Sequence, residues 1–540
     1  MTSHFASVSR PVLCILSVMC FAVATCAHGQ SSTNAQPLID KGAEALRNGD
    51  PESASTLFAQ ALKRDPRSVD AHTYLGVIAD EKGDLKSAES HFAAAVVLAP
   101  NSASARNNHG TVLLKLGRRQ DAISELEKSL QLDEHQPGAL LNLAQAYFQG
   151  GTDPDLRRAH KLFAHARKVL PDAAPARATL VTSIRLKDRT AAAQDYVEYR
   201  ERVTHAEGGI VGPSARLEIG QSLSEVGLYG PAREELSAVV AAQPDNPAGL
   251  VALAKAERLD GRIAEARKVL ESALARGIKS GAIYEEIAEI YDSSGHVENA
   301  IPAMRLAIAA DPGNEYYHLR YGLLLNDTQA PAAAVLRLRD AVSMFPESPA
   351  IHFALGLAYY ADHKNKDAAT CFDKSISLDP KFAPAYAYRG LILADAGKYA
   401  EAIQQYERSA ALDPNTAVVH ELMGEAILRQ PNPDTARAEQ ELKRAIELDP
   451  SYVAASLELA KLLQRHGNAA AAAQELERVV RIDSKLAQPH YLLGRAYAAL
   501  KRPEDSRREF NLFRELDKAS KQAEVDARSD LLRRLANVRY

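Results

Sequence analysis

Proline recurs in this chain at a spacing of 34 residues, and that period restricts the fold more than any other feature. Pro312, Pro346, Pro380 and Pro414 follow one another at this interval. The segment from Leu378 to Pro414, LDPKFAPAYAYRGLILADAGKYAEAIQQYERSAALDP, shows what lies between two of them. Two helical patterns are joined by Asp395-Ala396-Gly397-Lys398. The first carries Tyr386, Arg389, Gly390 and Leu393, the second Ala402, Tyr406 and Ser409. Spacings of three, four and seven place small or apolar side chains on one face of each helix. A unit this small cannot bury that face alone, so it stacks on copies of itself. The expectation is an all-α array of helical hairpins.

With proline at position 32 of each unit, units begin at 35, 69, 103, 137, 174, 213, 247, 281, 315, 349, 383, 417, 453 and 487. Three adjustments keep the register: about three extra residues near Gly150–Pro154, about two near Pro431–Pro433, and a Gly-rich spacer at 208–212. All are assigned to turns, where insertion costs least. Position 20 is then Ala in thirteen units: Ala54, Ala88, Ala122, Ala159, Ala193, Ala232, Ala266, Ala300, Ala334, Ala368, Ala402, Ala438 and Ala472; Ser506 replaces it in the last. Position 8 is Gly or Ala everywhere except Val181. Small residues at both places let the two helices of a hairpin cross closely. Position 24 is usually large, as in Phe58, Phe92, Phe163, Phe372, Tyr406 and Phe510. Proline at 32 ends the second helix because it lacks a donor and restricts the residue before it.

These positions resemble the tetratricopeptide repeat family, whose pattern has an aromatic at 4, Leu at 7, Gly at 8, Tyr at 11, Ala at 20, Phe at 24, Ala at 27 and Pro at 32. The unit from Pro349 supplies Leu355, Gly356, Tyr359, Ala368, Phe372 and Pro380, and departs with His352 and Ser375. The resemblance covers about residues 35–520. It implies a right-handed superhelical α-solenoid of about fourteen helix-turn-helix units, 35–207 and 213–520, whose first helices line a concave groove. The unit 174–207 fits the pattern worst, with Val181, Arg200 and His205, and marks the expected hinge or fault in the array.

The ends read differently. Residues 1–27 carry Arg10, then the apolar run PVLCILSVMCFAVAT and a small-residue exit, the pattern of a secretory signal. Fifteen such residues are short for a permanent span. Cleavage after Ala22-Val23-Ala24 or Ala27-His28-Gly29 would release a soluble chain. Alternatively, Val23-Ala24-Thr25-Cys26 resembles a bacterial lipobox with Cys26 acylated, although Thr25 departs from it. An exported protein, periplasmic or secreted, is expected, with any membrane attachment made through that anchor. Residues 28–34 form a polar linker. Residues 521–540 carry Val525, Leu531, Leu532, Leu535 and Val538 on one helical face. They are read as a cap over the last repeat, with a partner-binding tail as the alternative.

Chemistry is sparse. There is no glycine-rich phosphate loop, no nucleophile elbow, no HExxH, and no paired CxxC. His420-Glu421 begins like a zinc motif, but Gly424 stands where the second His belongs. His72, His318, His352, His420 and His490 all fall at position 4, separated by whole repeats, which suits packing residues with one polar edge. No enzyme activity, cofactor or metal is expected. A formal charge of −4 with mixed signs gives no reason to expect nucleic acid. Cys371 is the one cysteine outside the N-terminal run and is read as a small buried hydrophobe.

By the resemblance, positions 2, 5, 9, 12 and 13 face the groove. Between Glu285, Glu289 and Asp292 on one side and Glu421 and Glu425 on the other, these positions turn apolar: Tyr316, Leu319, Leu323, Phe353, Leu357, Tyr360 and Leu391. An apolar stretch bounded by charge is read as a groove for a protein or peptide. Neighbouring first helices covering those side chains is the alternative. Asn108 and Asn142, both at position 6, are two adjacent amides that could hold a peptide backbone. The function expected is an exported, non-enzymatic scaffold. An accessory subunit that positions substrate for an envelope glycosyltransferase or peptidase is the alternative.

Overall fold

The computed structural model describes residues 35–170, 173–205, 211–328 and 330–517. The signal and linker (1–34), Cys26, and the cap (521–540) lie outside the described residues. Among the described residues there are 28 helices, in fourteen consecutive antiparallel pairs, and no strand. The chain divides into two compact units, up to Ile278 and from Lys279. The first holds the seven pairs from Gln36–Arg47 to Ile263–Ala275; the second holds the seven from Gly281–Ser293 to Pro503–Asp517. Each unit is an α-solenoid.

The local chemistry of one repeat recurs along both units. At four of the Asp-Pro steps the Asp carboxylate accepts from the amide two residues on, as in Asp379 from Lys381 at 2.9 Å and Asp449 from Ser451 at 2.9 Å. This Asx turn carries the chain over the proline into the next first helix. There a Ser hydroxyl often caps the helix: Ser68, Ser102 and Ser348 accept from Ala71, Ala105 and Ile351. The two helices of a pair then meet through a left-handed residue at position 15. Gly83, Gly117, Gly261 and Gly397 hold it with φ of 75–79°. Lys187, His363 and Lys501 hold the same place at 55–58° without being glycine.

Glycine at position 8 is fixed by its partner at position 24. A Cβ on Gly356 would lie 2.5 Å from the Phe372 ring, and one on Gly390 would lie 2.6 Å from Tyr406. Ala54, Ala88, Ala122, Ala232, Ala368, Ala402 and Ala472 are all fully buried at the crossing.

Three expectations are corrected. The fifth pair is Ala173–Arg185 and Arg189–His205, so its unit starts at 173. Ala192, fully buried, takes position 20, while Ala193 is only half-buried; Leu180 takes position 8 and Tyr196 position 24. The first helix of this unit begins one residue earlier than the proline spacing in the sequence predicts. Next, the extra residues near Gly150 lengthen helices, not the turn: Pro137–Gly150 has 14 residues and Asp153–Val169 has 17. Finally, the unit after Ala173 is not a fault. Arg177 pairs with Glu218 at 3.0 Å, and Arg200 and Arg216 converge on the fully buried Glu235 at 3.1 and 2.7 Å. These charges tie the fifth pair to the sixth across the spacer, and the boundary between units falls later, after Ile278.

Candidate interaction surface

The seven residues expected to line an apolar groove lie on Glu315–Asp327, Pro349–Ala361 and Ala383–Asp395 in the second unit. Five of them are core. Phe353 is 1 % exposed, and Leu319, Leu357, Tyr360 and Leu391 are buried; Leu323 is half-buried. Only Tyr316 is exposed, at 37 %. Phe353 sits among Phe372, Phe382 and Tyr388, with ring centroids 5.2–5.6 Å away, and the Tyr360 hydroxyl donates to Asp395 at 2.7 Å. The reason is that successive first helices pack on one another, so large side chains at positions 5, 9 and 12 fill the seam between them. The expected open apolar groove is therefore absent from these three pairs.

What these pairs and their neighbours do present is charge. Arg320 pairs with Glu289 at 2.6 Å and Asp292 at 3.2 Å beside Tyr316. Further along, Ala417–Leu428 and Val453–Arg465 bound an open recess of about 240 Å³, lined by Glu425, Leu428, Arg429, Glu458, Lys461 and Arg465. Glu425 holds Arg429 at 2.7 Å and Glu458 holds Lys461 at 2.6 Å. Glu421, expected on the surface, is 5 % exposed beneath. Burial pushes its carboxyl up to about 8, and Glu425 and Glu458 push it the same way; the Tyr452 hydroxyl donates to it at 3.4 Å. A protonated acid thus supports a lining that itself carries one more cation than anion.

Position 4 has a role that spacing alone did not reveal. In six repeats its side chain donates to the carbonyl six residues earlier, at the end of the preceding repeat. His318 donates to Pro312 at 3.0 Å, His352 to Pro346 at 2.9 Å, His490 to Ser484 at 3.1 Å, Tyr386 to Pro380 at 3.2 Å, and Arg106 to Pro100 at 2.8 Å. In four repeats the position 4 side chain also meets an acid at position 23 of its own repeat. Arg106 pairs with Glu125 at 2.8 Å, Arg216 with Glu235, His420 with Glu441 at 2.7 Å, and His490 with Glu509 at 2.6 Å. The signal was present in the sequence: a donor at 4 with an acid nineteen residues on, or twenty-one where the turn is longer.

In the first unit, Asn142 donates to Asn107 at 3.1 Å and Thr111 at 2.8 Å, and Asn107 to Asn108 at 3.4 Å, so the amides are largely engaged with each other. Among the described residues no three His, Cys, Asp or Glu side chains are grouped to hold a metal, and no helix is long and apolar enough to cross a membrane.

A family profile described as tetratricopeptide repeat matches residues 39–103, 107–155, 217–281, 260–315, 328–380 and 353–417, and a second of the same description matches 432–488. Among solved structures, the chain is similar to yeast Tom70, at 16 % identity over 89 % of this chain and 97 % of that one, with a TM-score of 0.39. It is also similar to a chain of the APC/C hetero-tetramer Cut9–Hcn1, at 14 % identity over 93 % and 96 %, TM-score 0.38. A tetratricopeptide repeat protein from Parabacteroides merdae gives 23 % identity over 47 % and 98 %, TM-score 0.38. No curated protein matches the chain.

Proposed function

We propose, since this chain belongs to the tetratricopeptide repeat family, that it is an exported scaffold that binds a protein partner and carries out no reaction itself. Proteins of this family are generally non-catalytic binding scaffolds. The observation that carries the reading is repetition: fourteen helix pairs built on one pattern, each offering the same first-helix positions to a ligand. Within the second unit the working face is charged, not apolar. It runs from Arg320 with its acids to the recess around Lys461 and Arg465. Export rests on the N-terminal sequence pattern alone.

Crosslinked pull-down from envelope fractions tests both parts. The unaltered chain should retain a specific partner that the K461E/R465E double variant loses while keeping its helical melt. Retention of the same partner by that variant would remove the recess from the reading. Mass spectrometry of the N-terminus separates cleavage before a soluble chain, acylated Cys26, and an unprocessed cytoplasmic protein, the last of which excludes export.

A further inference from the structure

Glu421 on Ala417–Leu428 is buried without a cation to offset it. Among the described residues its hydrogen bond is the one Tyr452 donates at 3.4 Å, and no Lys, Arg or His lies within ion-pair distance. A carboxyl in that setting keeps its proton, because burial penalises the ionised form and nothing adjacent compensates it. The recess over it makes that proton count. Arg429, Lys461 and Arg465 stand there against Glu425 and Glu458, three cations against two acids, a net of +1. An ionised Glu421 directly beneath would cancel that excess.

The excess also has a location. Glu425 holds Arg429 and Glu458 holds Lys461, which leaves Arg465 with neither ion pair nor hydrogen bond among the described residues. A guanidinium presents its donors in a fork that matches a carboxylate. Leu428 supplies an apolar wall for the stem of an acidic side chain.

The other groups around Glu421 do not take over its part. From Val453–Arg465 come Glu458 and Lys461, already joined to each other at 2.6 Å. Tyr406 reaches in from Tyr399–Leu412, and burial pushes its hydroxyl up, so it adds no charge. His420 on the same helix pairs with Glu441 of Thr435–Leu448 at 2.7 Å, and Asp395 of Ala383–Asp395 accepts from Tyr360.

Taking this recess as the binding face, we propose that it receives an acidic side chain of the partner, and that loss of the proton on Glu421 weakens that binding. Linkage requires the converse. An anion at Arg465 strengthens the hold of Glu421 on its proton, so binding near pH 8 takes up protons.

The probe is a hexaglutamate peptide blocked at both ends, which offers only side-chain carboxylates, ionised throughout the range used. Anisotropy titration of the full chain at low salt should show affinity falling about fivefold or more between about pH 7 and about pH 9. Calorimetry near pH 8 in buffers of different ionisation enthalpy should show proton uptake. E421Q copies the neutral acid and should keep the neutral-pH affinity throughout, while R465E should bind weakly at both values. Equal affinity at both values, the same fall in E421Q, or binding without proton uptake overturns the role of Glu421 and leaves the recess as a binding face. Should E421Q not fold, the calorimetry on the unaltered chain decides. No binding at about pH 7, or equal binding by R465E, overturns the acidic ligand. The envelope pull-down, which uses no peptide, reports separately on the scaffold reading.

Discussion

At the scale of single residues, the structure separates side chains that only fit from those that pay a cost. His363 sits at a left-handed φ of 58° where most repeats have glycine. His363→Gly should stabilise the second unit by about 0.5–1 kcal/mol in denaturant unfolding, since relief of strain outweighs added chain entropy. Phe353 lies on the other side of the ledger. Placing glutamate there buries a charge amid three aromatic rings, and Phe353→Glu should cost at least about 4 kcal/mol, with the melt of the second unit collapsing. Survival of that melt would put the ring on an open surface after all. Cys371 is buried, and burial pushes its thiol up to about 11. It should resist alkylation near neutral pH and react only in denaturant, as read by peptide mapping at that residue.

Between elements, polar pairs decide more than apolar contacts alone. Glu235 is fully buried and holds Arg200 and Arg216 while Tyr196 donates to it at 3.1 Å. Glu235→Ala leaves those groups uncompensated and should cost roughly 3 kcal/mol, measured as earlier unfolding of the first unit. Glu421 gives the opposite sign. Its folded value of about 8 lies above its usual carboxylate value, so the folded chain retains a proton that the unfolded chain releases. That loss of stability is absent below the unfolded pKa and grows as pH rises toward 8. Glu421→Gln should therefore raise the melting temperature of the second unit at about pH 8 more than at about pH 5. Equal shifts at both would mean that the carboxyl is ionised in the fold.

For the whole molecule, much was readable in advance. Alanine at 20 and a ring at 24 identify the helix crossing, and Gly356 with Phe372 shows why: the absent Cβ is the space the ring occupies. The register at Ala173 was not readable, because Pro171 suggested a boundary that the following helix does not respect. Nor was the fate of Phe353 and Leu357. Periodicity says which side chains share a face, but not how near the next helix comes, and that distance turned an expected groove into core. Glu421 was misplaced for the same reason. The polar partners of position 4 escaped because they join a helix to a carbonyl six residues behind it, a link that amphipathic patterning does not record.

That backward link gives the array a grammar. In six repeats a side chain closes the repeat before it, and the donor can be histidine, tyrosine or arginine because the acceptor is main chain. A module should therefore be removable if the cut respects the phase. Excising the 34 residues 349–382 would bring Tyr386 to the Pro346 carbonyl that His352 now serves. Such a shortened chain should fold with one helix pair fewer, whereas a cut one residue longer or shorter would misdirect every donor at the junction. For a protein of this kind, length is a property that evolution can edit in whole words.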